Sequence, residues 1–497
     1  MNDNKKIRRE GKVKNEKIWY ELDAFAKTYS SIISEGRTTC FRLSVLFSEN
    51  VDLIILEKVV ILLEEKYPFY NSELKKGIFW NYLQQKKTHF MIEEEKTYPC
   101  TDIQKDNPLR IIYFNNKLSI EIAHFLTDGK GAMLFFQDLI EEYTEKKYFS
   151  KNIRNENFEN KRIIVENNGK SEDKNKFKIK NKDLVNDKNL KKMIDFPKMI
   201  GSKIKNFENK SFLENKKKIL KKNEEIFGNY DEENNVKENK YVDLYEKYMR
   251  KVSKETTIKS AFHLPMKILE KGQYHITTGE IYIDDLKMES KKHKTTIGKY
   301  LLAVYFKILL DRYSSAKNPI VIGVPVDLRR IFEEKTYRNF FINITPSIDA
   351  SLGAYSLSEI ITYLDNYFAL KITKKEFYKS IYKAMNPMRN IIIKSVPYLI
   401  KRIFFPFIFD YYGERGYTTG FSNLGIFKID KKYEKYLKGF RFLPPPSKRC
   451  KIKMGVISDS QKVYINFGNL TADYDIERDF FVYLRKRGIR SKIITNY

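Results

Sequence analysis

Among 497 residues there are five histidines. One of them, His124, closes an apolar run in LSIEIAHFLTDGKGAML and stands four residues before Asp128-Gly129. An imidazole with an ordinary pKa of about 6.5 is the side chain best matched to taking a proton near neutrality. At the end of a strand its direction is fixed by the backbone, which suits a base aimed into a cleft. The plainer alternative is a histidine packed at a core edge, with Asp128 serving only as the N-cap of the helix that starts near Gly131. On composition alone a His-x-x-x-Asp-Gly match is expected on the order of 0.01 times by chance, so the spacing is modestly specific.

The surrounding pattern supplies the elements such a base needs. Residues 42–48 alternate as a strand and 53–66 have helical spacing, while 111–114 and 118–123 form a hairpin across Asn115-Asn116. Residues 131–147 are an amphipathic helix. Further on, 281–283 read as a short strand, 298–312 as an apolar helix and 319–326 (PIVIGVPV) as a buried strand. Two more strands are expected at 451–457 and 462–467, and a last helix at 475–487. Residues 391–412, IIIKSVPYLIKRIFFPFIFDYY, are interrupted by Lys394, Lys401, Arg402 and two prolines, which predicts a buried helix with a break and ranks a membrane-surface segment second.

Between these halves the character changes, because residues 151–240 hold 22 Lys and 18 Asn with weak apolar periodicity. That stretch is an inserted excursion. The expected organisation is 1–150 as an N-terminal lobe, 151–255 as insertion and crossover, and 256–497 as a C-terminal lobe. The net charge of +29 is spread along the chain, the excursion having 24 basic and 16 acidic residues, and it accompanies an enrichment in Lys, Asn, Ile, Tyr and Phe that reads as compositional bias rather than as a dedicated basic patch. Cys40, Cys100 and Cys450 are widely spaced, so neither a disulfide framework nor a zinc site is expected, and a reduced cytoplasmic setting fits. No apolar stretch of about 18 residues predicts a transmembrane helix, and the polar first residues do not read as a secretory signal. The nucleophile elbow, the phosphate-binding loop and the dinucleotide fingerprint are absent from the sequence, and the other histidines lack ligand spacing, so no metal is expected.

Two downstream segments give His124 company: VPVDLRRIFEEKTYRNFFINI at 324–344 and TTGFSNLGI at 418–426. In order and approximate separation, HFLTDG, PVDLR with RNFF, and SNLG resemble the signature regions of the alcohol acetyltransferase family, part of the chloramphenicol-acetyltransferase-like superfamily that also holds condensation domains and BAHD acyltransferases. AFHLP and IERDFFVYLRKRGI resemble the family as well. The resemblance implies an α/β (mixed α+β) fold of two lobes, each a mixed sheet with flanking helices, with an active-site tunnel between them. It implies His124 as general base, and Asp128 as a structural residue paired with an arginine, for which Arg329 is the first candidate and Arg330 the second because a guanidinium fork suits a carboxylate. Gly129 either spares room beside the tunnel or permits a positive φ. Ser422 and Asn423 match a region near the reacting carbonyl, as oxyanion donors or merely as a polar turn, and Asn339 matches a tunnel-bordering asparagine. Two departures favour the alcohol acetyltransferase branch: Ala123 stands where condensation domains double the histidine, and no Asp-Phe-Gly-Trp-Gly motif occurs, Asn466-Phe467-Gly468-Asn469 being a superficial echo.

The expected activity is acyl transfer, acetyl or longer, from acyl-CoA as co-substrate to a small-molecule alcohol or amine, with no bound cofactor. No nucleic-acid partner is expected, and contact with a membrane surface is at most weak. The rival expectation is a basic protein that binds nucleic acid or anionic membrane on the same scaffold without catalysis.

Overall fold

The structure is a computed structural model that describes residues 18–34, 37–101, 106–149, 242–249 and 260–496. The Lys/Asn-rich excursion at 151–240, and with it most of the 151–255 segment, lies outside the described residues.

Among the described residues, three sheets carry the strands. A five-stranded sheet has the order β13 (Leu437–Leu443), β2 (Cys40–Phe47), β7 (Lys117–Ala123), β6 (Leu109–Phe114), β5 (Met91–Glu94). A small one has the order β1 (Trp19–Glu21), β4 (Tyr82–Gln85), β3 (Ser72–Lys75). The largest runs β10 (Phe341–Ile344), β9 (Ile320–Asp327), β12 (Thr419–Ile426), β14 (Ile452–Ser458), β15 (Lys462–Asn469), β8 (His275–Tyr282), β16 (Ser491–Thr495), with β11 (Ser347–Ile348) beside β9. The α-helices among the described residues are α1 (Ala24–Ile32), α2 (Leu53–Lys66), α3 (Gly129–Tyr148), α4 (Leu244–Tyr248), α5 (Ile283–Lys292), α6 (Ile297–Arg312), α7 (Arg329–Phe332), α8 (Leu357–Lys371), α9 (Lys374–Arg389), α10 (Ile391–Ser395), α11 (Tyr398–Tyr412), α12 (Lys431–Glu434) and α13 (Asp475–Lys486).

Period-two alternation makes β7 the pivot of the first sheet. Leu118, Ile120 and Ile122 join the core that α2 and α3 cover. The opposite face is buried as well, and its polar groups are matched: Ser119 donates to Ser44 at 2.8 Å, and Glu121 accepts from Arg42 (2.9 Å), Arg110 (2.5 Å) and the Cys100 N–H (2.6 Å). A second core lies between the large sheet and α6, α8 and α13. One strand crosses from one half to the other. β13 comes from the segment assigned to the C-terminal lobe, yet it pairs antiparallel with β2 along 437–443, so the first sheet is completed by the far end of the chain.

Two sequence expectations need correction. The short strand at 281–283 is the end of β8, which starts at His275 and stops at Tyr282 where α5 begins; its start is polar in sequence but lies between β15 and β16, where Thr278 is buried and bonds Asn466 at 3.0 Å. The helix at 391–412 is broken as expected, into α10 and α11, but α11 is buried on one side only, through Tyr398, Lys401 and Phe405. Leu399 (70% exposed), Ile403, Phe407 (67%) and Tyr411 face solvent. The segment is predominantly apolar, which reads as burial, and only tertiary packing decides that one side has no neighbour.

Candidate active site

β7 ends at Ala123 and places His124 in the turn before α3. The turn is pinned by backbone: the His124 N–H donates to the Thr39 carbonyl (2.8 Å) and the Leu126 N–H to that of Ala123 (2.9 Å). The imidazole stacks on Tyr29 (centroids 4.6 Å, 30° between planes) and meets Phe41 and Phe341 at 5.2 and 5.3 Å. Its Nδ1 lies 3.1 Å from Asn339 Oδ1. The other end of that amide fixes its orientation, because Asn339 Nδ2 donates to Asp23 Oδ2 at 3.0 Å and a carboxylate accepts. Oδ1 therefore faces the ring, Nδ1 carries the proton, and Nε2 keeps its lone pair. Asp23 is itself held by capping α1, accepting from the Ala26 N–H at 2.8 Å, with Arg338 Nε 3.7 Å away. Burial pushes the His124 pKa below its usual 6.5, opposed in smaller measure by the Asp128 charge and the Asn339 hydrogen bond. The ring is thus neutral at neutral pH.

Asp128 fills both of the roles the sequence allowed. Its Oδ1 caps α3, accepting from the Lys130 N–H (3.1 Å) and the Gly131 N–H (2.9 Å), and also accepts from Arg329 (3.0 Å). Its Oδ2 accepts from Arg329 (3.0 Å) and the Phe340 N–H (2.8 Å). Arg329 spends its remaining donors on Asp327 (2.9 Å) and on the carbonyls of Thr336 (2.9 Å) and Arg338 (2.5 Å). Burial alone would disfavour the guanidinium charge, but the two aspartates outweigh it and its pKa is raised. With both oxygens committed, Asp128 has no capacity left to relay a proton. The alternative partner, Arg330, is exposed.

The glycines have separate reasons. Gly129 is not among the positive-φ residues. A Cβ there would come within 2.6 Å of the Leu424 Cδ2 on β12, so close approach to that cavity-lining side chain is what it permits. Gly131 is tighter still, since a Cβ would meet Thr127 Oγ1 at 2.1 Å and the Tyr337 carbonyl at 2.3 Å.

His124 keeps an edge open to a cavity of about 250 Å³. Ser422 and Asn423 line the same cavity from β12. Ser422 is half-buried; Asn423 is exposed and its Oδ1 is engaged by the Gly425 N–H at 2.8 Å. Asn339 is not one of the lining residues and lies behind the ring, which moves it from the tunnel border to the support of His124.

Three participants went unrecognised in the sequence. Asp23 was legible only as a helix cap, and its link to Asn339 spans 316 residues. Lys130 lines the cavity and donates to the Leu424 carbonyl, with its pKa lowered by burial. Thr39 lines it too, and no sequence signal marks it. It is a β-branched residue at φ 53°, a strained conformation, and its buried hydroxyl has no protein partner. Among the described residues no cluster of His, Cys, Asp and Glu could hold a metal, and no helix is long and apolar enough to cross a membrane.

No family model and no curated protein matches the sequence. Solved structures do match. TRI101 of F. sporotrichioides, complexed with coenzyme A and T-2, aligns with a TM-score of 0.53 at 9% identity, covering 96% of this chain and 99% of that one. The starter condensation domain of rhizomide synthetase RzmA, as a mutant form in complex with C8-CoA, aligns at 0.52 and 10% identity, covering 94% of each chain. The trichothecene 15-O-acetyltransferase TRI3 of Fusarium sporotrichioides aligns at 0.51 and 10%, again over 94% of each. The chain therefore has the two-lobe, mixed α/β fold of condensation domains and of these acetyltransferases.

Proposed function

We propose that this protein is an acyltransferase that moves an acyl group from acyl-CoA to an alcohol or amine, of the alcohol acetyltransferase type, with His124 as general base. The observation that carries the reading is a neutral imidazole at a cavity wall, its Nδ1–H committed to Asn339 and its Nε2 left without a protein partner among the described residues. Nε2 takes the proton of the acceptor as its oxygen or nitrogen attacks the thioester carbonyl. The tetrahedral intermediate then collapses, the C–S bond breaks, and the same nitrogen returns the proton to the departing CoA thiolate. Both substrates bind at once, so no acyl-enzyme forms. The Thr39 and Ser422 hydroxyls are the candidate donors to the oxyanion. Asp23 and Asn339 are positioning residues that set the tautomer; Asp128 and Arg329 hold the turn, and Gly129 admits Leu424. The fold shared with acetyltransferases supports this reading, and the three buried free thiols suit a reduced, cytoplasmic setting. The deciding experiment offers acetyl- and octanoyl-CoA with a panel of alcohols and amines and follows thiol release. Release that depends on an acceptor and vanishes in H124A is expected; release that persists in H124A overturns the mechanism.

A further inference from the structure

The outer face of α10 and α11 is apolar, and the segment leading into it is strongly basic. Leu399, Ile403, Phe407 and Tyr411 recur every four residues along one exposed line of α11. A second stretch of chain widens the patch: Ile78 is 77% exposed, and its loop is bound to α11 by the Tyr398 N–H on the Ile78 carbonyl (2.8 Å) and by Lys401 Nζ on the Phe79 carbonyl (2.9 Å). Beneath, the helix is firmly seated, with Trp80 stacked on Phe405 (5.7 Å) and Lys401 held 3.7 Å over the same indole. The exposed face is therefore not a loosely placed segment. Residues 371–402 contain nine Lys and Arg against one Glu, a concentration that the even spread expected from composition did not anticipate. Of these, Lys374, Lys375, Arg389, Lys394 and Arg402 are exposed.

Apolar side chains that repeat along one helix face, beside clustered basic residues, match an anionic lipid surface: the apolar groups enter the acyl boundary and the cations meet the headgroups. The same helix reaches the cavity. Phe409 lines it, and Asp410 pairs with Arg37, another lining residue. We infer that α10, α11 and the loop at Ile78 dock on an anionic lipid surface and set one mouth of the His124 cavity against it, so that the acceptor is an alcohol anchored in that surface. The docking stands on the patch and the charge; the acceptor class rests on the acyltransferase reading.

The test is flotation of the full chain with vesicles of phosphatidylglycerol and phosphatidylcholine in equal parts, against vesicles of phosphatidylcholine alone. The wild type should float with the first and not the second. The triple variant L399Q/I403Q/F407Q should partition about tenfold more weakly or worse, and R402E should weaken binding to a degree that salt also produces. Thiol release with hexadecanol in the anionic vesicles should fall in the triple variant while release with a short soluble alcohol holds. Unaltered flotation of the triple variant would falsify the docking, as would a wild-type dimer that the triple substitution dissolves and that ignores vesicles. Undiminished turnover of vesicle-borne hexadecanol by the triple variant overturns the acceptor class. Activity retained in H124A overturns instead the acyltransferase reading and leaves the flotation result standing.

Discussion

At the end of β7 a histidine, two aspartates, an asparagine and an arginine are packed inside the protein, while α11 turns leucine, isoleucine, phenylalanine and tyrosine to solvent. The two regions reverse the ordinary distribution, and for different physical reasons. Around His124 the buried aspartates, Asn339 and Arg329 all have partners, five hydrogen bonds on Asp128 alone, so their desolvation is compensated and their geometry is fixed. On α11 nothing compensates. Exposed apolar area of that kind is retained where something else covers it. The polar cluster is held by bonds within the protein; the apolar face of α11 has no such neighbour.

Substitution should separate the regions cleanly. The largest effect belongs to H124A, which should lower kcat by roughly 10²–10⁴-fold while circular dichroism and the thermal midpoint stay near wild type; an intact rate would reduce His124 to a packing residue. R329A comes next, because it strands Asp128 in the interior, and urea unfolding should report a loss of about 3–5 kcal/mol. R329K should not repair this, since one ammonium cannot reproduce five directed donors. N339A should cost on the order of tenfold in kcat and should also move the pH profile. Activity needs the neutral ring, so the wild-type acid limb lies below pH 6.5, and losing a hydrogen bond that raises the pKa shifts the limb to lower pH still. An unmoved limb would mean that Asn339 packs against the ring without bonding it. Smallest of all, I403Q should change stability by less than about 0.5 kcal/mol, since its side chain already faces water; a large loss would mean that the α11 face is covered after all.

The sequence disclosed these regions unequally. The hairpin 111–123, the helix after Asp128 and the strand 319–326 were legible because alternation, a two-residue turn and a capping aspartate are local signals. Asp128 and Arg329 could be matched only through the resemblance to a family, being 201 residues apart. The Asp23–Asn339–His124 line had no local trace, and neither did Thr39, whose strain is a property of φ and not of residue type. The α11 face was misread because apolar residues predominate around the helix, and a high apolar content does not report which side packs against the rest of the protein.

The crossing of β13 into the first sheet has a mechanical meaning. Separating β13 from β2 would strip β2 of its edge partner and expose a row of unpaired amides, so β13 stays with the first sheet although its sequence neighbours belong to the large one.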